Sequence, residues 1–387
     1  MVLDSASEKI AKNLFASYYK RTDLGISDVE KREFGFGNFE KKIMFRHIAF
    51  KDLGALKDYA VSSVPAFISC SPSLYHFPAA RPMEKKGWIG SELVFDLDST
   101  DLELPCQEKH GKSWVCSECQ DAVKGECIRL IEDFLIPDFG FSKGDIRINF
   151  SGNRGYHVHV NSEEVFGLGS DARKEMTDYI AGNGISAKSV FPLISNKTAR
   201  LEGPKPSDYG WGGKIARGMI SALNTGEGAL VSLGMTKGEA RLMHENRANV
   251  IMGITNGNWD KVRISGRERF WSRVIEKMAV KQSDSIDGNV TSSTYHLLRM
   301  PNTLHGDTGL LSIKISSIER LAEFDPMRHS ISFKKGEHRV EITRDTQPIS
   351  IGEEELGKMD VGATLELPTY AALYLVLKRY ARFLLES

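Results

Sequence analysis

Residues 92–98 read Glu-Leu-Val-Phe-Asp-Leu-Asp, an apolar segment carrying two aspartates one residue apart. Side chains alternate across a strand, so Asp96 and Asp98 share one face while Phe95 and Leu97 point to the other. Two carboxylates a few ångströms apart repel each other unless a cation sits between them. Mg²⁺ takes one or two carboxylates and leaves its remaining positions for water and phosphate oxygens. The segment therefore reads as a metal–nucleotide site, or as a strand end where acidic residues meet water. A motif this short does not decide between the two.

The chain has 387 residues, which suits two or three structural units and allows a sizeable core. Lys plus Arg balances Asp plus Glu at 51 each, so any nucleic-acid partner must be met by local basic patches. The N-terminus has neither the basic start nor the apolar run of a secretory signal. No stretch reaches the length of a membrane span; the most apolar, 370–377, ends at Lys378 and Arg379. Four of the five cysteines fall within 106–127, which suits a reduced compartment and a metal better than a disulfide framework. The expected location is the cytoplasm.

Helical periodicity predicts helices over 7–19, 51–62 and 121–135, and a capping box at Ser27-Asp28-Val29-Glu30 predicts a short one after it. Strands are expected at 34–36 and 43–50, paired through a Gly-Asn turn, and at 146–150 and 156–160, flanking a tight Ser-Gly-Asn-Arg-Gly turn. From about 183 to 282 strand patterns fade and helical runs such as 214–223 and 267–280 alternate with glycine-rich breaks. Strand patterns return at 310–315, 329–333 and 338–342, and 369–385 reads as a closing helix begun by Pro368. The expected class is α/β (α+β): a mixed β-sheet core with flanking helices and an inserted helical subdomain. Its divisions are 1–182, 183–283 and 284–387.

Three constellations carry chemistry. Cys106, His110, Cys116 and Cys119 have the spacing C-x3-H-x5-C-x2-C and fill a tetrahedral Cys3His set, which points to structural Zn²⁺; a redox pair or inert thiols are the alternatives. Cys127 falls mid-helix and reads as core. In Ser151-Gly152-Asn153-Arg154-Gly155-Tyr156-His157-Val158-His159, two glycines permit a sharp turn and close approach of backbone to a phosphate. Arg154 adds a planar cation suited to phosphate oxygens, and His157 and His159 share a strand face. The third runs from Ser285-Ile286-Asp287-Gly288 to His296-Leu297-Leu298-Arg299-Met300-Pro301-Asn302-Thr303-Leu304-His305-Gly306. It offers a third carboxylate, Asp287, and further phosphate contacts in Arg299 and His305. Each also has a plain explanation as a turn aspartate, a solvated arginine or a capping histidine.

This ordered set resembles the catalytic (small) subunit of archaeal and eukaryotic DNA primase. The resemblance rests on Phe95-Asp96-Leu97-Asp98, the nearby Cys/His knuckle, Ser151-Gly-x-Arg154-Gly-x-His157, and Asp287 with His-Leu-Leu-Arg-x-Pro-x-x-Leu-His-Gly-x-Thr-Gly. It extends to Arg32-Glu33-Phe34, to Pro82-Met83-Glu84 with Gly87-Trp88, and to Leu367-Pro368-x-Tyr370-Ala371-Ala372, and it looks like the archaeal branch.

The resemblance implies a nucleotidyltransferase that makes short primers de novo on a single-stranded DNA template from nucleoside triphosphates. Asp96, Asp98 and Asp287 would bind two Mg²⁺ or Mn²⁺ ions. Ser151, Arg154, His157 and His305 would hold the triphosphate, with Arg299 beside it and Arg46 near the nucleotide sugar. Cys106, His110, Cys116 and Cys119 would bind Zn²⁺. The usual partner is a primase large subunit carrying an iron–sulfur domain, and no membrane is involved. The sequence departs from the family at Asn153, where a second arginine is common, at His159, where an aromatic or apolar residue is common, and at Asp307, in place of a lysine. Two of these remove a positive charge beside the triphosphate. Three rival readings remain: a repair or translesion primase-polymerase of the same superfamily, an Asp-x-Asp glycosyltransferase, and a zinc-stabilised nucleic-acid-binding module without activity. The physical case for nucleotidyl transfer is independent of the family. Three carboxylates can hold two metals, and cations around the β- and γ-phosphates neutralise developing charge.

Overall fold

The computed structural model describes residues 3–196, 200–261, 264–282 and 286–385. Ser285, at the head of the third constellation, lies outside them. The molecule is mixed α/β and divides into two compact units. One comprises Met1–Ile128, Phe141–Lys174 and Ile286–Ser387; the other comprises Arg129–Gly140 and Glu175–Ser285.

The first unit is built on two four-stranded antiparallel sheets. One has the order Phe45–Ile48, Phe34–Gly37, Phe67–Cys70, Leu298–Arg299; the other has Ile313–Ile315, Ile146–Phe150, Gly155–Val160, Leu93–Asp98. In the first sheet, Phe34 and Phe36 are buried and meet Phe50 edge-on, and Phe36 also packs on Tyr59 of the Leu53–Ser63 helix. In the second, Phe95 and Leu97 are buried while Asp96 and Asp98 are half-buried, the alternation that the 92–98 segment predicts. Asp96 pairs with His157 and Asp98 with Gly155 across the ladder. Val94 packs against Leu298 and Val290, which brings the second sheet against the edge strand of the first. A third sheet, ordered Thr364–Pro368, Glu337–Ile342, Ala381–Phe383, closes the unit.

The second unit is helical. Its longest described helices, Gly210–Thr225 and Arg267–Gln282, carry buried apolar residues such as Ile215, Met219, Val274 and Met278. Phe191, Trp259 and Trp271 form an aromatic cluster with centroids 5.1–5.3 Å apart. A buried ion pair joins Lys214 to Asp138, which also accepts a hydrogen bond from the Tyr179 hydroxyl.

Several local expectations are corrected. The 369–385 segment is a helix only over Thr369–Leu377. Arg379 takes a left-handed conformation (φ 67°), and Ala381–Phe383 then pairs with Glu337–Ile342. The uniformly apolar run hid that boundary, because it carries no periodicity that could end. The strand expected at 329–333 is instead a helical turn, Pro326–His329, followed by irregular chain. Asp325 caps that turn by accepting from the Met327 N–H, and Pro326 fills the first position, where no N–H is needed. The helix over 121–135 begins earlier, at Ser117, and passes from α to π hydrogen bonding at Leu130–Leu135. The capping box at Ser27 gives only a 3₁₀ turn, Val29–Lys31, with no side-chain cap. The strands at 43–50 and 310–315 shorten to Phe45–Ile48 and Ile313–Ile315.

Candidate active site

Asp96 and Asp98 open into a cavity of about 170 Å³ between the two four-stranded sheets. Ser151, Arg154, His157, Arg299 and His305 line it as well, so seven of the sequence-predicted residues meet in one place. Asp287 is not among the lining residues but is tied to them. Its N–H donates to the Asp96 carbonyl at 3.0 Å, and its carboxylate caps the Gly288–Ser292 turn through the Asn289 N–H. Arg46 also lies off the lining. Its Nε donates to Glu33 Oε1 at 2.8 Å and its Nη2 to the carbonyl of Tyr295, the neighbour of lining residue His296.

Carboxylate crowding sets the electrostatics. Burial, then the charges of Asp98, Asp287 and Asp101, push Asp96 up to about 7. Asp98 is held by its contacts: Oδ1 accepts from the N–H and hydroxyl of Thr100, and Oδ2 meets Arg154 at 3.1 Å. His157 approaches Asp96 at 3.5 Å, yet burial, with His159 and Arg299 nearby, holds its pKa down to about 3, so the pair is not ionic. A divalent cation would relieve the repulsion among the three carboxylates, and oxygen donors of this kind suit Mg²⁺ or Mn²⁺.

Two loops close on each other at the Gly152 and His305 side of the cavity. Gly152 sits at φ +88°, and a Cβ there would come within 2.9 Å of the His305 Cβ. Thr308 locks the contact by donating its hydroxyl to the Gly152 carbonyl at 2.6 Å. His305 Nδ1 accepts from the Asp307 N–H, which leaves Nε2 as the protonated nitrogen. Burial holds His305 neutral, with its pKa well below the usual range. It is thus a fixed hydrogen-bond donor rather than a cation. Arg299 lies over the Phe67 ring at 4.6 Å, and the His305 ring meets the same ring edge-on at 5.1 Å. Phe67, fully buried, is the platform for both. A Cβ on Gly306 would fall within 2.6 Å of that ring, so only glycine fits there.

Sequence reasoning missed Phe67, Lys42, Ser69 and His296, the last three of which also line the cavity. His296 could have been found from its place at the head of the His-Leu-Leu-Arg motif; Lys42 and Ser69 carry no signal in their neighbours. His159 sits apart from the cavity. It bonds Glu92 at 2.8 Å and Asn149 at 3.0 Å, in a buried network where Glu92 also meets Arg32 and Arg147.

Beyond the Asp98 strand, Cys106, His110, Cys116 and Cys119 converge, their ligand atoms all within 4.8 Å of one another. Neighbouring donors stand 3.3–3.7 Å apart. Tetrahedral Zn²⁺ with bonds of about 2.3 Å requires sulfur spacings of about 3.8 Å, so the set fits Zn²⁺ with small adjustments. Burial, then the adjacent thiols, push the Cys106 thiol up to about 12, a crowding that thiolate–metal bonding would relieve. Cys127 is buried in the core. Among the described residues no helix is long and apolar enough to cross a membrane.

Residues 95–317 match the family model described as DNA primase small subunit. The chain is 33% identical to the DNA primase small subunit PriS of Methanothrix thermoacetophila, over 98% of this chain and 99% of that one. It is 32% identical to PriS of Thermoplasma acidophilum, over 96% and 99%, and 30% identical to PriS of Methanosarcina acetivorans, over 98% of each. The match therefore spans both sheets, the knuckle and every residue of the cavity, and this chain belongs to the DNA primase small subunit family, with the function of a catalytic primase subunit.

Proposed function

We propose that the cavity binds a nucleoside triphosphate with two divalent cations and adds nucleotides de novo on a single-stranded DNA template, giving short primers. The carrying observation is the opposition of charges in one cavity. Asp96 and Asp98, whose field includes Asp287, line it together with Arg154, Lys42 and the fixed donor of His305.

In this reading Asp96, Asp98 and Asp287 hold Mg²⁺ or Mn²⁺. The bound ions would lower the pKa of the attacking 3′-hydroxyl and stabilise the leaving pyrophosphate. Ser151 and Arg154 bind phosphate oxygens, and His157 contributes a neutral imidazole beside them. His305 donates from Nε2 without adding charge, and Arg299, braced on Phe67, lends a positive field. Arg154 now pairs with Asp98; an incoming polyphosphate would draw it away and leave Asp98 to a cation. Arg46, oriented by the buried Glu33, faces the sugar. The knuckle cysteines and His110 hold a structural Zn²⁺. The partners are a primase large subunit and the template, and the site of action is the nucleoid. The catalytic core is taken as 1–182 and 284–387, with 183–283 as a helical subdomain.

The test is incorporation of labelled nucleoside triphosphates on unprimed single-stranded DNA with Mg²⁺ or Mn²⁺, with and without the large subunit. We expect short products from the native chain and at least a thousand-fold loss, on the order expected for removing a metal ligand, in Asp98→Ala. Activity of Asp98→Ala close to native would sink the assignment.

A further inference from the structure

We propose that Lys378 binds the triphosphate tail of the incoming nucleotide, in a second cavity that continues the nucleotide cavity past Asn153 and Arg154. The inference rests on the nucleotidyl-transfer reading above and extends its phosphate site to a residue outside every motif.

The second cavity, about 400 Å³, is lined by Ser113, Asn153, Arg154, Asp307, Lys378 and Arg379, among others. It shares Asn153 and Arg154 with the first. A polyphosphate held by Arg154 beside Asp98 would extend toward Lys378 through the residues that the two cavities share. Lys378 follows the Thr369–Leu377 helix directly and is half-buried. Its ammonium donates to Asn153 Oδ1 at 3.0 Å and to the Ser113 carbonyl at 3.2 Å. An ammonium has three donors and no acceptor, so one N–H remains for a ligand.

The chemistry of its neighbours favours an anion. Both hydrogen-bond partners are neutral, and among the described residues no carboxylate lies within ion-pair distance of its ammonium. Burial, then the field of Arg154, depress its pKa to about 8, with Asp307 and Asp98 opposing and Lys42 adding to the drop. A phosphate would reverse that shift. Lys378 also touches Asn153 itself, one of the two positions where the family resemblance leads one to expect a cation. The charge missing from the 151–155 turn thus arrives from the C-terminal helix, at the same place. The bland alternative is a strut, in which Lys378 merely ties the helix end to the 111–115 loop.

The full-length chain distinguishes these. Lys378→Met keeps the aliphatic stem and removes the charge. We expect it to bind ATP with Mg²⁺ about ten-fold more weakly, the size of one lost charge-assisted hydrogen bond, and to bind AMP as the native chain does. In primer synthesis KM for ATP should rise with kcat little changed. Lys378→Met combined with Asn153→Arg should recover most of the ATP affinity, since it returns a cation to the same cavity. Native ATP affinity in Lys378→Met, or equal losses for ATP and AMP with no rescue by Asn153→Arg, would overturn the proposal in favour of a strut. If the native chain neither binds ATP nor incorporates nucleotides, the underlying reading fails and this inference with it. If it does both and Lys378→Met is unaffected, this inference alone fails.

Discussion

Asp96 stands in a state that a divalent cation would reverse. In the cation-free protein, burial and three neighbouring carboxylates hold its pKa at about 7, against an ordinary value of 3.8. The folded state therefore binds a proton that the unfolded state releases across this interval. The sign follows from linkage: as pH rises from about 4 to 7 the cation-free protein loses stability, and above 7 the full penalty of the buried charge is present. Asp96→Asn removes the ionisation. We expect the variant to be more stable than the native chain at pH 8 with EDTA, with the advantage gone at pH 4, as read by urea unfolding at both pH values. An equal difference at both would show that Asp96 is not the group under strain. The same proton competes with the metal, so divalent affinity should fall by up to about ten-fold per pH unit below 7. At this scale the sequence was informative wherever chemistry follows a local period. Two aspartates at i and i+2 must share a strand face, and they do. Phe67 was invisible because its role, a ring beneath Arg299 and His305, depends on a strand more than two hundred residues away in the chain.

The knuckle shows what a spacing rule tells and what it omits. Four ligands at C-x3-H-x5-C-x2-C converge as the spacing implies. The loop they pin has a second use that leaves no mark on the sequence, since it works through backbone carbonyls. Lys112 O accepts from Arg154 at 3.4 Å, and Ser113 O accepts from Lys378 at 3.2 Å. Trp114, fully buried, packs edge-on against Tyr380, and Gln107 donates to the Ser99 carbonyl just beyond Asp98. The element therefore braces the Arg154 and Lys378 side chains. We expect about one zinc per chain by elemental analysis, and its loss in the Cys116→Ser, Cys119→Ser double variant, because structural zinc binding is also folding energy. That variant should bind ATP more weakly while keeping the far-UV spectrum of the two large sheets. Native ATP affinity in a zinc-free chain would separate the knuckle from the site. The elements that were misread share a cause. The helix at Thr369–Leu377 is buried all round and offers no polar face to mark its end, and the alternation of Ile331 and Phe333 masked the Asp325-Pro326 cap before it.

At the scale of the whole molecule, charge balance limits how the chain can hold a template. With 51 basic and 51 acidic residues, there is no net field to draw in a polyanion. Single-stranded DNA must be met by a local set of cations, and candidates such as Lys41, Arg81 and Lys85 are exposed within the first unit. Each neutralised phosphate of a single strand contributes about −0.7 to the slope of log K against log salt. Three such contacts then give a slope of about −2. We expect that value for the isolated chain, from fluorescence anisotropy of a labelled oligonucleotide across a salt series. The division of labour in the fold makes the same point. On the proposed reading the cations nearest the carboxylates serve the nucleotide, and each now has a protein partner: Arg154 on Asp98, Arg299 on Phe67, Lys378 on Asn153. They are not available to a template as well, so the isolated chain should hold single-stranded DNA weakly. Adding the large subunit should then both tighten binding and steepen the slope, because the additional phosphate contacts must come from its surface. A slope near −8 for the chain alone would mean that a basic surface exists which the sequence balance conceals, and the case for a partner in template binding would fall.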